Sequence, residues 1–543
     1  MKKTGMIVDL IAKRIFPGEI HIHNGHIASI TETSGQNYAT FILPGFVDAH
    51  IHVESSMLIP SEFARASVRH GIVSTVSDPH EIANVLGTAG VDYMIENGNK
   101  TPFKFYFGAP SCVPATTFET AGASIDPDGI RVLLSRPEIV YLSEMMNYPG
   151  VVYGQADVMA KIAIAQELKK PIDGHSPGLR GEALRTYISA GISTDHECFT
   201  LDEALEKVAL GMKIIIREGS AARNFDALHP LIGTHPERCM FCSDDRHPDQ
   251  LLQYGINDVV KKAIALGYPL FDVLRIACVN PVRHYGLNVG LLQIGDPADF
   301  IMVDSLETFV VTQTVINGRT VFSHGQTFID SVPAETPNHF HATPITSTDL
   351  SIDLSGKTIR TIDVHDGQLV TTEGRATLPI SENPTASDIS QDLLKMVVLN
   401  RYTPASKPAI GFVRNFGLKE GAIASSVAHD SHNIVAIGVS DHAIAAAINA
   451  IVDSQGGLSV IDAKGRAHVL PLPVAGIMSA DPIETVANHY GQLDQLAKSL
   501  GSPLQAPFMT LSFLALLVIP KLKLSDLGLF DGDSFVFVDV IVD

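Results

Sequence analysis

The chain has 543 residues, 45% of them hydrophobic and 18% charged, a balance that supports large globular cores and about three or four domains. The formal net charge is −20 and no Lys/Arg-rich run occurs, so nucleic acid and anionic membrane surfaces are excluded as partners. Cys112, Cys198, Cys239, Cys242 and Cys278 are too few in so long a chain for a disulfide framework, which fits a reducing cytoplasm.

The N-terminus starts like a signal peptide, but Asp9, Lys13 and Arg14 interrupt any apolar core. Short strands follow at Met6–Leu10, Glu19–His23, His26–Thr31 and Ala39–Leu43, a small β-layer over 1–43. His21 and His23 flank Ile22 before Asn24-Gly25, a hairpin turn, so they read as the polar face of a ribbon. Pro44-Gly45 then breaks the strand pattern, and PGFVDAHIHVESSM begins a new element. Residues i and i+2 of a strand share a face, so His50 and His52 point to one place, with Asp48 two residues earlier. Converging neutral imidazoles beside a carboxylate suit a divalent metal.

From Gly45 the pattern repeats as strand, loop, helix. Strands are expected at Phe46–His52, Ile72–Ser77, Phe103–Phe107, Ile139–Glu144, Pro171–His175, Ile192–His196, Met212–Glu218 and Met240–Asp244. Helices are expected at Ser61–His70, Asn84–Asn97, Asp128–Ser135, Asp157–Lys169, Gly178–Ala190, Thr200–Leu210 and Pro248–Ala265. Alternating βα units over 44–285 predict a parallel sheet closed as a (β/α)8 TIM barrel. Such barrels carry their chemistry at the C-terminal ends of strands. Here those ends hold His50 and His52, then Asp78-Pro79-His80-Glu81, Glu144, His175, His196 and Asp244. One such histidine is more often a core residue, but a metal-ligand type at the same end of six strands points to a metal centre. His50, His52 and Asp244 suit one ion, His175 and His196 another, with Glu144 bridging.

Residues 286–330 return to short strands with a second Asn-Gly hairpin at Asn317-Gly318, and are expected to complete a flanking β-sandwich with 1–43. Residues 331–350 read as a Pro/Thr-rich linker, where His339 and His341 fit a solvated loop. Residues 351–543 read as a separate α+β domain, whose most apolar run, Leu511–Pro520, is too short to span a bilayer. Cys239 and Cys242 form a lone CxxC, best read as core packing.

These motifs resemble the amidohydrolase superfamily. More narrowly, VSDPHEIANVLG, SEMMNYPGV, DGHSPGLRG, STDHE, IREGSAARN and CSDDRHP, with NFGLKEGAIASSVAHDSHN and PFMTLSFLALLVIPKLKL after them, are similar to the adenine deaminases of that superfamily. The resemblance runs along essentially the whole chain. It implies that Glu144 stands where many superfamily members bridge the metals with a carboxylated lysine, and that the metals are Mn or Fe, with Zn also open. Two cations would supply hydroxide near neutral pH to attack C6 of adenine, giving hypoxanthine and ammonia. Asp244 is expected to move the proton, with Asp245 as the alternative. Glu218, His80 and Glu81 are candidates for the ring-nitrogen proton, and Asp78, Glu81, Arg217 and Ser220 for substrate contact. His429, Asp430 and His432 read either as a polar loop or as part of the site. A homodimer or higher homo-oligomer is expected. The rival reading is a related metal hydrolase of a cyclic amide or N-acyl amino acid, because fold alone does not settle chemistry.

Overall fold

The computed structural model describes residues 1–35, 38–220, 222–352, 354–378 and 387–542. Eight parallel strands form its centre: β1 (Phe46–Ile51), β2 (Ile72–Ser77), β3 (Lys104–Ala109), β4 (Ile139–Met145), β5 (Ile172–Gly174), β6 (Thr194–Asp195), β7 (Lys213–Arg217) and β8 (Cys239–Cys242). β1 to β5 pair in order, as do β6 to β8. The two arcs join where Ser193 N–H donates to Ile172 O at 2.9 Å, and Asp244 N–H closes the ring by donating to His50 O at 3.0 Å. The strands are short, apolar and rich in Val and Ile, as a sheet buried on both faces requires.

Two expected helices are each split. Asn84–Asn97 becomes His80–Leu86 and Thr88–Gly98, parted by Gly87, whose φ of 63° no helix interior adopts. Pro248–Ala265 becomes Pro248–Gln253 and Ile256–Ala265, parted at Gly255, where a Cβ would lie 2.3 Å from the His70 Cβ.

Residues before and after the barrel share one eight-stranded sheet. Phe41–Pro44 is its seam, parallel to Lys2–Asp9 on one side and antiparallel to Phe300–Val303 on the other. Ile20 and Ile22 are buried there while His21 and His23 are exposed, the alternation expected of a ribbon. Asn24-Gly25 and Asn317-Gly318 both take the left-handed turn conformation.

The C-terminal region is built on a second eight-stranded sheet. Helix Asp441–Ser454 lays Ile444, Ile448 and Ile451 on one face, against Val397, Leu399 and Ala436. On the other face, Met396, Val398, Val435 and Ile437 join a core continuous with the barrel's. One face of this sheet therefore packs into the same apolar core as the barrel, and the other face packs with its own helix. The 331–350 stretch is tied to both bodies, because Tyr93 Oη donates to Glu335 O and Ala475 N–H to Pro337 O, and Phe340, Ile345 and Leu350 are buried. Among the described residues, no helix is long and apolar enough to cross a membrane.

Candidate active site

The strand ends converge on Glu144, at the end of β4. Its Oε1 lies 3.3 Å from His52 Nε2 and 3.5 Å from His80 Nδ1, and its Oε2 lies 2.8 Å from His175 Nδ1 and 3.2 Å from His196 Nε2. One carboxylate thus faces four imidazoles, the geometry of a bridging group. Asp244 Oδ1 lies 3.2 Å from His52 Nε2 and 3.6 Å from His50 Nε2, and its Oδ2 accepts from Arg217. The His50 and His196 rings stack, with centroids 4.1 Å apart.

Backbone contacts aim these rings. His52 Nδ1–H donates to the Asp78 carbonyl at 3.2 Å, which leaves the Nε2 lone pair facing the two carboxylates. Asp48 accepts from Ser243 N–H at 2.9 Å and ties β1 to the loop carrying Asp244. Asp195 accepts from Ser176 N–H at 2.8 Å and from the buried Lys207 Nζ at 2.9 Å, fixing the strand ends that bear His175 and His196. Burial raises the Asp195 pKa, but Lys207 wins and brings it to about 2.

The donor set fits divalent cations. His50 makes no hydrogen bond through either ring nitrogen, and the buried His175 Nε2 and both Asp78 oxygens also lack one. Ligand atoms of His50, His196 and Asp244, of Glu144, His175 and His196, and of His52, Asp78, His80 and Glu144 each lie within 4.8 Å of one another. His196 stands in two of these groups, and His52 groups both with Asp78, His80 and Glu144 and with Asp244 and Asp245. Burial and the nearby His80 push the His52 pKa down, yet Asp244, Asp245 and Glu144 hold it well above its ordinary value. Burial likewise opposes, and Glu197 and Glu144 overcome, at His175, which reaches about 9. A pocket that draws protons onto its imidazoles holds metal cations in exchange for those protons.

Beside this cluster sits a second layer. Arg217 grips both oxygens of Glu197 and reaches Asp244. Burial pushes Asp244 up, but Arg217 and the His50 and His52 rings bring it well below the carboxylate range. Glu81 accepts from His429 Nδ1 on one oxygen and from His432 Nε2 on the other, while His80 Nε2 lies 3.5 Å from Glu81 and 3.7 Å from Asp430. The HDSHN stretch therefore reaches the barrel mouth.

Two expected residues do not join. Glu218 follows the last residue of β7, and alternation sends Arg217 inward and Glu218 outward, 3.5 Å from Lys262. The Ser220 hydroxyl accepts from His247 N–H at 2.8 Å and caps a loop outside the cluster. Asp244 and Asp245 both face the cavity, because β8 ends at Cys242 and Asp244 has a φ of 53°, so strand alternation does not separate them. Glu197 goes unnamed in the sequence reading, although it directly follows His196 in STDHE. Cys239 and Cys242 are buried free thiols.

The cavity over the cluster is lined on one side by Leu369, Phe513, Leu516 and Ile519 from the C-terminal region, and Met146 forms part of its wall. Met146 lies in SEMMNYPGV, and Phe513, Leu516 and Ile519 in PFMTLSFLALLVIPKLKL, but neither motif marks which of its apolar residues line a cavity.

Comparison with known proteins identifies the family. Residues 41–321 match the amidohydrolase family, and residues 368–536 match the adenine deaminase C-terminal domain. An adenine deaminase of Salinibacter ruber is 55% identical over 543 residues, covering 99% of each chain. One from Sulfurovum sp. is 56% identical over 542 residues, again covering 99% of each chain, and one from Methanosarcina mazei is 49% identical over 559 residues, covering all of both. Among solved structures, a β-aspartyl dipeptidase of Fervidobacterium islandicum AW-1 aligns with 60% of this chain and 98% of its own, at 17% identity and a TM-score of 0.46. By full-length identity and by both of its matched segments, the chain belongs to the adenine deaminases of the amidohydrolase family.

Proposed function

We propose that this chain hydrolyses adenine to hypoxanthine and ammonia at the cluster around Glu144. The observation that carries the reading is one buried carboxylate facing four imidazoles, in a chain similar along its whole length to adenine deaminases. His50, His52, Glu144, His175, His196 and Asp244 would hold two divalent ions, Mn or Fe(II), with Zn the alternative. When bound, such ions supply the Lewis acidity that makes hydroxide available near neutral pH.

The protein's own groups manage the protons. As oxygen bonds to C6, the C6=N1 double bond opens and N1 gains a proton; Asp244 takes a proton from the attacking water and returns it to the departing amine, so the exocyclic C6–N bond breaks with ammonia as the leaving group and C6=O forms. Arg217 keeps Asp244 ionised and aimed at the start of that cycle. His80 and Glu81 are the groups positioned to hydrogen-bond the purine ring, and His429 and His432 hold the Glu81 carboxylate in place. The exposed Leu527, Val536 and Phe537 support a homo-oligomer, and five free cysteines support a reducing compartment such as the cytoplasm.

The test offers adenine, dihydroorotate and hydantoin separately to protein reconstituted with Mn or Fe(II), and follows ammonia release and, for the two cyclic amides, ring opening. Release from adenine alone is expected. Hydrolysis of either cyclic amide, with adenine untouched, would overturn the reading.

A further inference from the structure

The cavity above the metal cluster measures about 30 Å³, room for little more than water and too small for a bicyclic purine. A larger cavity of about 200 Å³, lined by Ser220, Arg223, Gln368 and Gln505 among others, lies on the outer side of the same Leu369 and Phe513. These two side chains are therefore a wall shared by the two spaces, and a purine fits over the metals only if that wall gives way.

One buried side chain ties the two segments of this wall directly to each other. Lys523 is fully buried, and its Nζ donates to the Leu369 carbonyl at 2.7 Å and to the Phe513 carbonyl at 2.9 Å. Leu369 and Phe513 come from separate segments of the chain, and Lys523 is the cross-tie between them. The surrounding strand adds Leu524 N–H to Leu514 O at 3.0 Å, and Thr371 Oγ1 to Leu522 O at 2.8 Å. No carboxylate contacts Lys523 among the described residues, so both of its partners are neutral carbonyls. Such a tie can be remade after each opening without rebuilding an ion pair.

The two sides of the cavity have different chemistry. Every polar lining group is on the barrel side or in the HDSHN stretch, whereas Leu369, Phe513, Leu516 and Ile519 offer only apolar atoms. Placed with C6 over the metal ligands and its ring nitrogens at the polar groups, a purine would turn its imidazole half and N9 toward the apolar part of the lining. A free base presents a flat, largely apolar edge there. An N9 ribose would hold the roof open and bury its hydroxyls without partners, which costs far more than a poorly filled pocket.

Resting on the adenine reading above, we propose that this apolar roof is the specificity element of the site: it recloses over a free purine base and not over an N9-substituted one, and Lys523 is the positioning residue that reseats it. The roof couples closure to exclusion of water, so an N9 substituent loses turnover as well as affinity.

The experiment compares metal-loaded wild type with Leu369→Gly, Phe513→Ala and Lys523→Met on adenine, 9-methyladenine and adenosine. Metal content and melting temperature are measured alongside. Calorimetric binding of hypoxanthine and 9-methylhypoxanthine gives a readout independent of turnover. Wild type should favour adenine strongly, and Leu369→Gly should raise the 9-methyladenine to adenine ratio of kcat/KM by at least about tenfold. Lys523→Met should move the ratio the same way, through kcat more than KM, whereas a purely structural loss would lower all substrates equally. If Lys523→Met fails to fold, Leu369→Gly, in a loop, carries the test. Variants that keep their metals and deaminate adenine at the wild-type ratio would overturn the proposal and leave the deaminase reading standing. A metal-loaded wild type inert toward adenine would overturn both.

Discussion

On its barrel side the cavity presents Glu144, Asp244, His52, His175 and His196, and on its C-terminal side Leu369, Phe513, Leu516 and Ile519. The floor is held by charge. Its groups are mutually paired, each ring is aimed by a backbone carbonyl or a carboxylate, and the carboxylates at its centre are kept ionised against burial. The roof is held by packing and by two hydrogen bonds from Lys523. The floor can therefore be rigid while the roof moves. The division suits a reaction whose proton transfers need fixed distances and whose substrate must pass a closed door.

The floor breaks most completely at its centre. Glu144→Ala removes the group shared by four imidazoles, and metal content should fall toward zero with activity lost by several orders of magnitude, as elemental analysis and ammonia assay would show. Elemental analysis of active wild type that finds one tightly held ion per chain would reject the two-ion centre. Next comes Asp244→Asn, which keeps the hydrogen bond to Arg217 but cannot take a proton. Turnover should drop about 10²–10⁴-fold with the melting temperature little changed. Asp245→Asn should do much less, since the Asp245 carboxylate is already engaged, accepting from Ser55 Oγ at 2.5 Å. A full-speed Asp244→Asn paired with a dead Asp245→Asn would exchange their roles.

These two predictions rest on residues legible in the sequence, and the reason is physical. A single His, Glu or Asp at the end of an apolar strand costs burial energy that packing does not repay, so its repetition at the barrel's strand ends marks a centre. The same logic fails where the strand ends early. At Asp244-Asp245 the chain has left β8 for a left-handed residue, and alternation no longer sorts inward from outward. Glu218 looks like a strand-end acid but stands one residue past β7, on its outer side. The roof carries no signal of this kind. Leu369 and Phe513 are ordinary apolar residues brought together only by tertiary folding, and Lys523, in KLKLS, reads as a surface lysine.

Floor meets roof at Glu81, whose two oxygens are held by His429 and His432 from the C-terminal region. Changing both histidines to Ala leaves a buried carboxylate without its partners, which typically costs about 3–5 kcal/mol. Urea denaturation should show that loss, and turnover of the remaining folded protein should fall at least about tenfold, because Glu81 lines the cavity over the cluster. Unchanged turnover per folded molecule would make the two histidines struts and detach them from the chemistry.

The smallest effect separates the two regions by their response to pH. Floor charges are paired, whereas Lys523 is buried with neutral partners, and burial lowers its pKa from 10.5 to about 7. Below about pH 7 both folded and unfolded chains carry this proton, and the cost of burying an ammonium is paid in full. Between about pH 7 and 10.5 the unfolded chain keeps the proton and the folded chain has released it, so stability gains with rising pH. A neutral amine still has two N–H groups, enough for the Leu369 and Phe513 carbonyls, so the roof stays tied throughout. Lys523→Met removes the titration but leaves every other group in place. The stability of wild type relative to this variant should therefore rise with pH across that window, by about 1.4 kcal/mol per unit at most. Urea midpoints of both proteins at several pH values would measure it. A difference that stays flat would mean that Lys523 remains an ammonium when folded, and the roof would then be held by a charge, as the floor is.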